Sequence, residues 1–193
     1  MSASPASPAL LHLVDGNEQI GPIGEQLQKP FYVRVTDSYG NPNANIAVTF
    51  TSESDGSFDG SAQVTKQTNS SGEAQASFTL GTRAGYQKVA TVEAKQNNLR
   101  IGSPIDFYAT ATGGTPTTSA IHSGDKQNGV VDSDAAEPLS ILITDKFGNP
   151  APNFSVTFSA LDDGLVNGQE NTSIQTDVNG IAAVTYTLSK VSV

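Results

Sequence analysis

Residues 33–42, Val33-Arg34-Val35-Thr36-Asp37-Ser38-Tyr39-Gly40-Asn41-Pro42, return 108 positions later as Ile141-Leu142-Ile143-Thr144-Asp145-Lys146-Phe147-Gly148-Asn149-Pro150. Each copy is a β-patterned run, a polar turn and a second run, 46–51 and 154–159. Asp37 and Asp145 stand where a side chain accepts backbone N–H bonds across a turn. The Gly that follows supplies backbone angles closed to other residues, and Pro fixes φ on the way out. This is turn chemistry, and both aspartates are assigned as turn caps rather than catalytic acids.

The register of 108 holds without a gap well beyond the turn. Gly16 matches Gly124, Gln19 matches Gln127, Gly21 matches Gly129 and Pro30 matches Pro138. Val48-Thr49-Phe50 matches Val156-Thr157-Phe158, Asp55-Gly56 matches Asp163-Gly164, and Gly60, Thr68, Gly72 and Thr79-Leu80 match Gly168, Thr176, Gly180 and Thr187-Leu188. Chance does not keep turn glycines and apolar positions in step over such a distance, so the chain carries one blueprint twice.

Within the first copy, Phe31, Val33 and Val35 alternate with polar neighbours, as do Ile46, Val48 and Phe50. Further period-two sets are Ala74, Ala76, Phe78 and Leu80, then Ala90, Val92 and Ala94, then Ile105, Phe107, Ala109 and Ala111. With weaker runs at 10–14 and 62–66, this predicts about seven strands with turns every 8–12 positions, the arithmetic of an immunoglobulin-like sandwich. No segment sustains a helical period. The expected class is all-β: two tandem Ig-like β-sandwiches, the second incomplete. The expected domains are 1–112, with 1–8 as a linker or frayed end, and 113–193. The Gly/Pro/Thr run 112–118 forms the boundary. Val193 stands at the repeat position of Gly85, so the second copy is expected to lack the counterparts of its last two strands and to be marginal alone. Those strands would add about six inward side chains, each large one contributing roughly 1.5–3 kcal/mol.

Composition narrows the function. Among 193 residues there are 10 Lys/Arg against 19 Asp/Glu, a net charge of −9. Up to Gly113 seven basic residues face ten acidic ones, and beyond it three face nine, so neither half is basic. A nucleic-acid or anionic-membrane partner is excluded, since both need a positive surface. With no Cys, disulfides, thiolate metal sites and thiol nucleophiles are excluded together. The first thirteen residues lack a basic start, which does not suit a signal peptide, and no run approaches membrane-spanning length.

His12 and His122 each stand without a Cys, carboxylate pair or second His at ligand spacing, and no nucleophile elbow or phosphate loop is present. No catalytic, cofactor-binding or metal-binding residues are assigned, and an enzyme is not expected. The acidic loops Asp55-Gly56-Ser57-Phe58-Asp59-Gly60 and Asp132-Ser133-Asp134, with Asp125, Asp162 and Asp163, offer oxygen ligands of the calcium kind but lack the twelve-residue loop spacing; they read as hairpin turns. Asn69, Asn153 and Asn171 head matches to the glycosylation pattern that read as chance in so Ser/Thr-rich a chain. Tyr32, Tyr39 and Tyr108 are candidates for carbohydrate or protein contact but form no platform visible in sequence.

These motifs resemble the bacterial immunoglobulin-like domain of the invasin/intimin type. The resemblance is carried by Gly16, Gln19, Gly21, Pro30, Asp37, Gly40, Asn41, Pro42, Val48-Thr49-Phe50, Gly72 and Phe107-Tyr108-Ala109-Thr110-Ala111, and by the matching positions of the second copy through Gly180. The family usually places a small apolar residue after Asn-Pro; Ala151 keeps this and Asn43 departs from it. The resemblance implies a non-catalytic repeat segment of a bacterial cell-surface or secreted adhesin, acting as stalk or spacer with a role in cell adhesion. Its implied partners are neighbouring Ig-like repeats and a host protein or glycan. Its implied location is extracellular, at the bacterial cell surface, anchored through regions outside this chain. The alternatives are a module that itself binds a host protein or glycan, and a phage or filament subunit completed by strand exchange.

Overall fold

The computed structural model describes residues 4–190, and the chain divides into two compact units at Thr112/Gly113. The described residues form strands and no helix. In the first unit the strands are β1 (Leu10–Asp15), β2 (Gln19–Pro22), β3 (Phe31–Thr36), β4 (Ala47–Ser52), β5 (Gln63–Gln67), β6 (Glu73–Ala76), β7 (Gly85–Gln96) and β8 (Leu99–Thr112). They make a three-stranded sheet ordered β1-β3-β6 and a five-stranded sheet ordered β2-β8-β7-β4-β5. All neighbours are antiparallel except β2, which runs parallel to β8 with Gln19 opposite Ala109 and Pro22 opposite Thr112.

The alternation read from sequence is the core. Phe31, Val33, Val35, Val48, Phe50, Phe78, Val92 and Phe107 are inaccessible to solvent. Phe31 is the hub: its ring stacks on Phe107 at 4.4 Å and on Phe78 at 5.2 Å, and meets Phe58 edge-on at 6.1 Å. Aromatic pairs in these geometries add to simple burial.

Some local features depart from what the alternation alone suggests. The β7/β8 register shifts between Lys88 and Ala90, so Val89 and Ala90 are both buried; a bulge turns two successive side chains the same way. The run from Ala74 to Leu80 is not one strand. β6 ends at Ala76, and Thr79 then bridges Ser57 and Gln26 while Phe78 and Leu80 stay inside. The final hairpin is longer than the inward set 105–111 suggests, turning on Asn97 and Asn98, both at positive φ, as a two-residue hairpin loop requires.

The second unit comprises β9 (Pro116–Ser123), β10 (Leu139–Asp145), β11 (Ser155–Ser159), β12 (Leu165–Val166), β13 (Asn171–Gln175), β14 (Ile181–Val184) and β15 (Tyr186–Thr187). Its sheets are β14-β10-β9, β11-β13 and β12-β15. The first repeats β6-β3-β1 and the second repeats β5-β4. Its interior is thinner. Leu139 replaces Phe31 and is only half-buried, and Phe158, at the position of Phe50, is half-buried too.

Two segments expected to be irregular are more ordered than that. The run 112–118 is not all linker, because β8 lasts to Thr112 and β9 begins at Pro116. The segment 1–8 is not all frayed: Ala6 N–H donates to Asp37 Oδ2 at 2.9 Å and its carbonyl accepts from Asn43 Nδ2 at 2.8 Å. The expected fraying at residues 1–3 lies outside the described residues.

Phe31→Ala removes the ring on which Phe58, Phe78 and Phe107 converge. We expect a loss of about 3–5 kcal/mol in urea unfolding followed by near-ultraviolet circular dichroism. A loss below about 1 kcal/mol would mean that the hub is misassigned.

Candidate functional site

Asp37 closes strand β3, and its carboxylate, fully shielded from solvent, takes four hydrogen bonds. Oδ1 accepts from the N–H groups of Tyr39 and Asn41, both at 2.9 Å. Oδ2 accepts from Asn41 Nδ2 at 3.0 Å and from the Ala6 N–H at 2.9 Å. Asp145 does the same: Oδ1 takes Phe147 N–H at 2.8 Å and Asn149 N–H at 3.0 Å, and Oδ2 takes Asn149 Nδ2 at 2.8 Å and Gly114 N–H at 2.9 Å. Ala6 and Gly114 are themselves 108 positions apart. Each aspartate therefore grips the segment that enters its own unit as well as its turn.

The electrostatics follow from these bonds. The Asn41 amide, helped by the N–H groups of Ala6, Asn41 and Tyr39, holds Asp37 down at about 2, against an ordinary 3.8. Burial pushes Asp145 up, but the Asn149 side chain and the N–H groups of Gly114, Asn149 and Phe147 outweigh it and bring it to about 2 as well. Hydrogen bonds to a carboxylate stabilise its charged form. The turn-cap roles of both aspartates are thus visible atom by atom.

A second polar lock repeats beside the first. Gln19 Nε2 donates to the carbonyls of Gly16 (2.7 Å) and Lys29 (2.9 Å), and its Oε1 accepts from Lys29 N–H at 2.9 Å. Gln127 makes the same three bonds with Gly124 and Glu137, at 2.8, 2.7 and 2.7 Å. Gly16 is at φ +89°, and a Cβ there would stand 2.1 Å from the Pro30 carbonyl oxygen. The Gly-x-x-Gln spacing thus pins the strand-to-strand crossing across which no ladder runs. Sequence reasoning found the motif but not this role.

The other candidates fall to ordinary partners. His12 Nε2 shares a hydrogen bond with Thr36 Oγ1 at 3.0 Å, and His122 lies exposed on β9. Asp55 Oδ2 accepts from Thr82 N–H and Oγ1, both at 2.7 Å, which lowers its pKa. Asp134 Oδ1 accepts from Thr187 Oγ1 at 2.7 Å. Asp59, Asp132, Asp162 and Asp163 are at positive φ in turns. Among the described residues no three His, Asp or Glu side chains gather as a cation site. Tyr39 projects from the turn at 83% exposure, while Tyr32 is half-buried. Tyr108 does join an aromatic pair: it stacks on Tyr86 at 5.6 Å, with the Tyr86 hydroxyl donating to Glu18 Oε1 at 3.0 Å. Tyr86 sits diagonally across from Tyr108 in the β7/β8 register, a pairing that the undetected bulge hid from sequence.

Residues 26–102, most of the first sandwich with its Asp turn, match the model of the bacterial Ig-like domain, group 1. The chain carries a bacterial Ig-like domain. A relative, the inverse autotransporter adhesin YeeJ of Escherichia coli strain K12, is 31% identical over 159 residues, covering 81% of this chain. The chain spans 6% of that relative's length. Among solved structures, invasin, described as a bacterial integrin-binding protein, aligns over 94% of this chain and 34% of its own at 18% identity, TM-score 0.40. The D00-D0 domain of intimin aligns over 94% and 87% at 16% identity, TM-score 0.43. Asn43, at the position where the repeat's second copy has Ala151, spends its amide on Ala6 and leaves Oδ1 buried without a hydrogen-bond partner.

Because Asp37 and Asp145 are held near 2 in the folded chain and titrate near 3.8 when released, their contribution is complete above about pH 4 and lost as pH falls toward 2. Thermal melts between pH 5 and 2 should show this decline. Asp37→Asn should lower the melting temperature at pH 5 and flatten the acid limb of the first unit. An acid limb unchanged by the substitution would contradict the assignment.

Proposed function

We propose that this chain is a non-catalytic spacer segment of a bacterial cell-surface or secreted adhesin, displaying a binding tip that lies outside it. The observation that carries the reading is the grip on each entering segment. Asp37 holds the N–H of Ala6 and Asp145 holds that of Gly114, so each unit fixes the segment by which the chain enters it. A spacer needs this, since a segment that serves placement must hold each unit's chain entry in one position. The kinship with an adhesin supports the same reading. Neighbouring Ig-like repeats are the partners such a segment meets along its own chain, and the host protein or glycan meets the tip.

A second reading, a module that itself binds a host protein or glycan, is favoured by one surface. The stacked Tyr86 and Tyr108 stand on the outer face of the five-stranded sheet, with Ile20, 69% exposed, on the neighbouring strand β2. Aromatic and apolar side chains gathered in the open suit a binding surface.

Two measurements separate the readings. Under the spacer reading Asp145→Ala releases the segment entering the second unit, and amide hydrogen exchange at Gly114 and along β9 should speed up; unchanged exchange would refute the grip. A glycan and host-protein array should find no saturable ligand for the chain. Saturable binding abolished by Tyr86→Ala would overturn the spacer reading in favour of the binding module.

A further inference from the structure

Of the five tyrosines in the chain, two are in ring contact with each other among the described residues. Tyr86 and Tyr108 lie 5.6 Å apart between centroids, with their planes 8° from parallel. The β7/β8 register sets Tyr86 opposite Thr110 and Lys88 opposite Tyr108, so the two are diagonal neighbours on one face, a spacing that aromatic side chains bridge. The stack is braced by the residues leading into β2. Asn17 Oδ1 accepts the Tyr108 N–H at 2.8 Å, and the Glu18 N–H donates to the Tyr108 carbonyl at 2.9 Å. Glu18 is at φ +58°, a left-handed conformation uncommon for residues other than Gly. From there its Oε1 takes the Tyr86 hydroxyl at 3.0 Å. Tyr86 is 60% exposed and open to an oxidant in solution. Composition adds a second constraint, because the chain has no Cys, no Trp and one Met, Met1. Thiol and thioether are the usual sinks of oxidation, and indole gives up an electron more readily than phenol does. An electron taken from this chain beyond Met1 therefore comes from a tyrosine.

We propose that Tyr86 and Tyr108 form an oxidative cross-linking site, with Glu18 as proton acceptor, at which a one-electron oxidant joins the two rings as a dityrosine. The oxidant is of the peroxide class, hydrogen peroxide acting through a peroxidase. Each phenol gives up one electron and its hydroxyl proton, that of Tyr86 passing to Glu18 and that of Tyr108 to solvent. Desolvation and the bond to Glu18 hold the Tyr86 pKa above its ordinary 10.0, so at neutral pH the proton leaves with the electron rather than before it. The two phenoxyl radicals then pair their electrons in a bond between the ring carbons ortho to the oxygens. The hydrogens on those two carbons leave as protons and the oxygens regain protons, which restores both aromatic rings. The chain loses two electrons and two protons in all, and the peroxide takes them up as it is reduced to two molecules of water. A lone tyrosyl radical must wait for a partner from another molecule, whereas here the partner ring is centred 5.6 Å away. The new bond fastens β7 to β8 close to Thr112, where β8 ends. It constrains the unfolded chain as a disulfide does, in a chain that has no cysteine to make one. This site goes beyond the spacer reading and does not depend on it.

The test treats the 193-residue chain, in dilute solution, with hydrogen peroxide and a peroxidase. It reads intact mass, dityrosine fluorescence and the cross-linked peptides released by proteolysis. The expected product is a monomer lighter by two hydrogen atoms, fluorescent as dityrosine, whose cross-linked peptides carry Tyr86 and Tyr108. Tyr86→Phe and Tyr108→Phe keep a ring in the stack and should each abolish that product, although four tyrosines remain. Glu18→Gln keeps an acceptor for the Tyr86 hydroxyl but not a base. It should slow the cross-link by about tenfold or more, since a positioned proton acceptor contributes at least that. Cross-links that form only between molecules, as through Tyr39 at 83% exposure, overturn the proposal. So does a monomeric product that survives Tyr86→Phe, or a Glu18→Gln chain that reacts as fast as the original.

Discussion

A carboxylate shut away from water is tolerable only when its lone pairs are filled, and the four N–H bonds taken by Asp37 do that. The requirement works in both directions. Because the charge must be satisfied, the turn cannot open and the entering segment cannot drift without stranding it. Three residues after the gripped Ala6, Ala9 N–H donates to the Thr36 carbonyl, and β1 then zips onto β3 with Leu11 opposite Val35. The start of the first sheet is therefore set beside the carboxylate. Asp145, Gly114 and the pairing of β9 with β10 repeat the arrangement.

Comparison of the two units shows which interactions the blueprint holds fixed. Gln19 and Gln127 keep the same three bonds. Thr68 and Thr176 each donate to a carbonyl (Asn43, 2.7 Å; Ala151, 2.6 Å) and accept an N–H (Ile46, 2.9 Å; Phe154, 2.8 Å). Gly72 and Gly180 both sit at positive φ with a carbonyl oxygen, of Val35 and of Ile143, where a Cβ would go. Core identity, in contrast, drifts: Phe31 becomes Leu139, Phe58 becomes Val166 and Phe78 becomes Tyr186. Apolar packing has many solutions of similar volume, whereas a buried polar group with fixed partners has one. The repeat is thus defined more by its polar locks than by its aromatic centre.

This difference explains what was legible in the sequence. The alternation at Phe31, Val33, Val35, Val48 and Phe50 gave strand and face, because burial on one side of a sheet imposes a period of two. The turn at Asp37 to Pro42 was legible because each residue there has a local conformational reason. The bulge beside Val89 was not, since it depends on pairing with β8, more than ten residues away in sequence. Nor was the stack of Tyr86 on Tyr108, whose register is set by that bulge and a second shift between Val92 and Ala94. The bond from Asp37 to Ala6 spans 31 positions and has no local pattern; only its recurrence as Asp145 to Gly114 marks it as part of the design.

Function enters through the same carboxylates. Among the described residues no three His, Asp or Glu side chains gather as a cation site, and the most repeated device fixes how a polypeptide enters a sandwich. That property suits a segment whose task is placement. The most direct measurement follows the Asp37 and Asp145 side-chain carbons by ¹³C NMR from pH 6 to about 1.5, together with the Ala6 and Gly114 amide protons. Both carboxylates should titrate at about 2, each with its distant amide shifting in the same transition. Titration near 3.8, with those amides unmoved, would contradict the account.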